Sequence, residues 1–70
     1  MITEFFLKSC FVVCVTTESG MPPTGYYNSY GELVEDIESA VRFRELHEVL
    51  KFIESHNIKL GETCYIELLI

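Results

Sequence analysis

Between Gly31 and Asn57 the apolar residues of this chain change sides. At about 100° per residue, Leu33, Val34, Ile37, Ala40 and Val41 gather around one direction of a helical projection. Phe43, Leu46, Val49, Leu50 and Ile53 gather roughly 170° away. One straight helix cannot bury both stripes in one core. Three arrangements satisfy the pattern. Residues 31 to 41 could form a separate short helix opened by a Ser29-x-x-Glu32 capping box. A continuous helix could bury one stripe inside and the other against a second chain. Or the early part is a hairpin around Asn28-Ser29-Tyr30-Gly31, followed by a turn at Asp36-Ile37-Glu38-Ser39-Ala40. The third fits best: the adjacent Tyr26 and Tyr27 favour a strand, and Gly31 suits a turn better than a helix. The second stripe alone also makes a complete amphipathic helix from about Arg44 to Asn57, with Leu46, Val49, Leu50 and Ile53 as its buried line.

The rest of the chain reads as strand. Residues 2 to 17 are rich in Phe, Val, Thr and Cys and carry no helical stripe. Alternation puts Phe5, Leu7, Phe11, Val13 and Val15 on one face and Phe6, Cys10, Val12 and Cys14 on the other. Residues 62 to 70 repeat this, with Cys64, Ile66, Leu68 and Ile70 facing one way and Tyr65, Glu67 and Leu69 the other. Asn57 and Gly61 supply the turn between helix and final strand.

The expected fold is therefore α+β: a small single-layer, mainly antiparallel sheet with one amphipathic helix on one face, in the order β-β-α-β, as one domain over residues 1 to 70. Seventy residues lie near the lower limit for a core without disulfides or metal. One helix covers one face, so the sequence implies that Phe6, Cys10, Val12, Cys14 and Tyr65 form an apolar patch on the other. Such a patch suits a dimer or partner interface, and a homodimer is expected.

Eleven acidic residues against five basic ones give a net charge of −6, which repels phosphate backbones and disfavours direct nucleic-acid binding. An acidic surface suits a partner with a basic one. Glu32, Glu35, Asp36 and Glu38 concentrate that charge in an exposed stretch, an edge able to dock on Lys and Arg of another protein. They lack the spacing of a calcium loop.

Other chemistry finds no foothold. Cys10, Cys14 and Cys64 form neither a disulfide framework nor a zinc motif, and Cys10 and Cys14, four apart on a strand, are roughly 13 Å from each other. His47 and His56 point to opposite sides of a helix. No phosphate-binding glycine loop is present, so no catalytic residue, metal or cofactor is expected. The apolar run Phe11 to Val15 is far short of a membrane span, and a cytoplasmic, untargeted protein is expected.

The run Asp36-Ile37-x-x-Ala40-x-x-Phe43, followed by an amphipathic helix and an aromatic-aliphatic terminal strand, resembles a layout common among small bacteriophage and prophage accessory proteins. The resemblance spans residues 26 to 70. It implies a category that includes anti-CRISPR and other host-defence antagonists working in the host cytoplasm, and it implies no catalytic residues. The functional expectation is a non-catalytic inhibitor that occludes a basic surface. A small-molecule sensor or accessory enzyme subunit, with Tyr26, Tyr27, Tyr30 and the cysteines lining a pocket, is the alternative.

Overall fold

The computed structural model describes residues 9 to 69. Residues 2 to 8 of the expected first strand, with Phe6 of the expected apolar face, and Ile70 lie outside that range. Within it run strands β1 (Cys10–Val15), β2 (Gly25–Tyr27) and β3 (Leu33–Val34), a 3₁₀ turn at Ile37–Ser39, helix α1 (Leu46–Ser55) and strand β4 (Cys64–Leu69). The strands form one antiparallel sheet in the order β3-β2-β1-β4. The architecture is the α+β plan of one antiparallel sheet and one helix.

The hairpin forms where Tyr26 and Tyr27 suggested it. Tyr26 pairs with Val34 and Tyr27 with Leu33. The turn between them is organised by Asn28, whose Oδ1 accepts from the backbone N–H of Tyr30 (3.0 Å) and Glu32 (2.9 Å). Gly31 sits at φ +78°, a conformation that glycine reaches without the clash of a Cβ. The Asp36 to Ala40 stretch is the expected turn: Asp36 Oδ1 accepts from the Glu38 N–H at 3.1 Å and caps the 3₁₀ segment. Helix α1 opens with a reciprocal box in which the Glu45 side chain takes the Glu48 N–H and the Glu48 carboxylate takes the Glu45 N–H. It ends where Asn57 turns left-handed, at φ 55°.

The change of sides has a topological cause. Ala40 is buried on the sheet face of Val12 and Cys14, with Tyr26, Tyr65 and Leu69 packed around them. Val49 and Ile53 are buried on the opposite face against Val13, together with Phe11, Tyr27, Phe43 and Ile66. Between Ala40 and the helix the chain runs along β1 just past the end of β2. There Val41 donates to the Tyr27 carbonyl (3.0 Å), and Phe43 exchanges both backbone hydrogen bonds with Phe11 (2.7 and 3.0 Å). The two stripes belong to two faces of one sheet, and residues 41 to 43 carry the chain from one to the other.

Two expectations need correction. Val49 and Ile53 are buried, but Leu46 and Leu50 are each 48% exposed. The helix is rolled so that Phe52 meets Phe43, with ring centroids 5.2 Å apart, and at 100° per residue this tips Leu46 and Leu50 onto the opposite flank. The second face of β1 is also not an open patch. Val12 and Cys14 are 0% exposed, because the segment around Ala40 folds over them.

Candidate functional site

The four carboxylates singled out in the sequence lie along the outermost strand and the turn after it. Glu32 precedes β3, Glu35 follows it, Asp36 caps the 3₁₀ turn and Glu38 lies within that turn; all four side chains are exposed. Glu32 Oε1 accepts from Asn28 Nδ2 at 3.3 Å, and Asp36 is held by its cap, so both are steered by local bonds. Charge in this position has two physical effects. It presents a negative rim to a basic surface, and it discourages another strand from pairing with the short β3 edge.

The residues expected to form the apolar face are split by the fold. Val12 and Cys14 are core, Cys10 and Tyr65 are half-buried, and Phe6 is outside the described residues. Cys14 Sγ donates to Glu67 Oε1 at 3.5 Å. Burial, and then this bond, push the Cys14 thiol up to about 12. It stays protonated at neutral pH and is no nucleophile. Burial also raises Cys64. Tyr26 and Tyr65 are raised too, by burial first and then by charge on Cys14 and Glu67.

The tyrosines do not converge. Tyr26 packs on the Val12 face, Tyr27 on the Val13 face, and Tyr30 stands 79% exposed in the hairpin turn. No cavity opens among the described residues. His47 Nδ1 lies 3.1 Å from Glu45 Oε1 on the solvent side of α1, whereas the His56 ring stacks on Phe52 at 4.4 Å. Among the described residues no cluster of His, Cys, Asp and Glu could hold a metal, and no helix is long and apolar enough to cross a membrane.

One feature escaped the sequence: β4, six residues long, is the outer strand on the far side of the sheet from β3. Alternation showed which way its side chains point but not which strand would be its neighbour. Its only cue was a single charge, Glu67, in an otherwise uncharged strand. Compared with models of protein families, with characterised proteins and with solved structures, the chain matches none.

Proposed function

We propose that this chain is a non-catalytic protein-binding module: a small acidic inhibitor of the phage type, anti-CRISPR or otherwise anti-defence, that covers a basic surface of a host protein in the host cytoplasm. The observation that carries the reading is the placement of Glu32, Glu35, Asp36 and Glu38, all exposed, along one arm of the sheet in a chain of net charge −6. A rim of one sign raises the encounter rate with a surface of the opposite sign and penalises acidic competitors. A host surface that grips nucleic acid through Lys and Arg is the natural target, since occupying it removes its phosphate contacts.

The test is charge reversal. Glu35→Lys with Asp36→Lys changes the local charge by four units, two per residue, at exposed positions. The partner is captured from a bacterial lysate on immobilised parent protein. Its association rate with the double variant is expected to fall by about tenfold or more at low salt, with the gap closing as salt screens the charges. Equal rates for both proteins at low and high salt would reduce the rim to an ordinary solvated edge.

A further inference from the structure

Among the described residues no strand pairs with the outer side of β4. Phe11 gives both of its backbone groups to Phe43, and the Val15 carbonyl accepts from the Thr24 N–H, so the odd residues of β1 bond away from β4. Cys10, Val12 and Cys14 therefore bond toward β4, where they lie across from Leu69, Glu67 and Tyr65. It follows that the N–H and C=O groups of Ile66 and Leu68 point outward. No described strand lies beyond them. At the start of the strand the outer side is closed, because the Cys64 carbonyl accepts from the Gly61 N–H at 2.8 Å.

The side chains beside this edge are of two kinds. Leu68, 48% exposed, points to the helix face with Phe11 as its cross-strand partner. The helix adds to the apolar surface there. Phe52 rests on Phe43, and the His56 ring lies against Gly31 of the hairpin turn, so this flank of α1 leans toward β2 and β3. At 100° per residue the opposite flank, with half-exposed Leu46 and Leu50, is turned away from β2 and β3, toward the β4 side. On the other sheet face the edge carries Glu67, exposed and the only charged residue of β4.

We propose that the β4 edge is a docking site for an extended segment of another protein, one in which a Lys or Arg opposite Glu67 is flanked on both sides by apolar residues. Added as a fifth strand, such a segment satisfies the outward backbone groups of Ile66 and Leu68. Its basic residue falls on the Glu67 face, and its two apolar neighbours fall on the helix face beneath Leu46 and Leu50. Charge selects this occupant over a second copy of the chain. Two copies joined through Ile66 and Leu68 would set Glu67 against its own equivalent roughly 5 Å away, and like charges directly across a strand pair are destabilising. The Gly61 turn closes the register shifted toward Cys64, and the register centred on Leu68 joins the outward groups of that residue alone among those described. The site is separate from the carboxylates of the β3 arm, so failure of either leaves the other standing.

The test is an NMR titration of the full chain with two capped pentapeptides, Thr-Val-Lys-Val-Thr and Thr-Val-Glu-Val-Thr, each to about 1 mM. The expected result is shifted and exchange-protected amides at Ile66 and Leu68, with the lysine peptide bound about three- to tenfold more tightly. Glu67→Lys should invert the preference. Leu68→Pro removes an outward donor that the sheet does not use, so it should abolish binding while the chain stays folded, with a melt lowered by about as much as the loss of any half-exposed leucine. Should that variant unfold, the inverted preference of Glu67→Lys decides alone. No response at Ile66 and Leu68, equal affinity for both peptides, or sedimentation showing a parent dimer that Leu68→Pro dissociates would each overturn the proposal.

Discussion

The roll of α1 can be tested by comparing two neighbouring alanine substitutions. Val49 is 0% exposed against Val13, and Val49→Ala removes two methyl groups. At ~0.8 kcal/mol per buried carbon the transfer loss is about 1.6 kcal/mol, the cavity left in a close-packed cluster raises this to about 2–3 kcal/mol, and the better helix propensity of alanine over β-branched valine trims it to about 1.5–2.5 kcal/mol. Leu50→Ala removes three carbons, but from a side chain 48% exposed. Half of ~2.4 kcal/mol is ~1.2 kcal/mol, and the better helix propensity of alanine trims it to about 1 kcal/mol. In a domain of this size 1 kcal/mol moves the melting temperature by roughly 4–8 °C. Differential scanning calorimetry should therefore show Val49→Ala melting about 12 °C below the parent and Leu50→Ala about 6 °C below. Equal losses would place Leu50 under the helix, undo the roll set by the Phe43 and Phe52 rings, and remove the apolar overhang beside β4.

Three further outcomes follow from particular contacts. Val12→Glu puts a carboxylate at a 0% exposed site with no cation in its cluster, so circular dichroism should show an unfolded chain; a folded variant would mean that this face is open after all. Gly31→Ala adds a Cβ that meets the His56 ring (2.9 Å to Cγ) at a positive φ, and a loss of about 1–2 kcal/mol in urea denaturation is expected. Cys14 has a folded pKa raised from 9.0 to about 12, so its stabilising contribution is whole below pH 9 and is lost as pH rises toward 12. The melting temperature should fall across that window with a shallower slope in Cys14→Ala, and iodoacetamide at pH 8 should label Cys10 and Cys64 before Cys14.

The sequence made the hairpin legible because its signals are local: two adjacent tyrosines, then Asn28 and Gly31 at the turn. The helix was legible as an element for the same reason. Its rotation was not, since Leu46, Val49, Leu50, Phe52 and Ile53 form an apolar arc wider than one core can take. The pairing of Phe43 with Phe11, thirty-two residues apart, decides which part of the arc goes under. The exposure of the acidic arm followed from composition. The fate of the Val12 face did not, because the residue that closes it, Ala40, is small and stands in a segment whose larger neighbours Leu33 and Glu38 face water. Strand order, and with it the open edge at β4, depends on long-range pairing that alternation cannot report.

The two outer strands of the sheet are treated differently by the chain. The β3 edge is two residues long and bracketed by Glu32, Glu35 and Asp36, the short and charged form that resists strand addition. The β4 edge is six residues long, holds one charge, and has an apolar helix flank above it. Guarding one edge and leaving the other open fits a role for the second. The burial that holds the fold is centred on β1, where Val12, Val13 and Cys14 are each 0% exposed and pin the sheet from its two faces, whereas Glu35, Glu67 and Leu68 stand exposed. Substitutions at Glu35, Glu67 or Leu68 can therefore alter what the chain binds while β1 and its two clusters keep it folded.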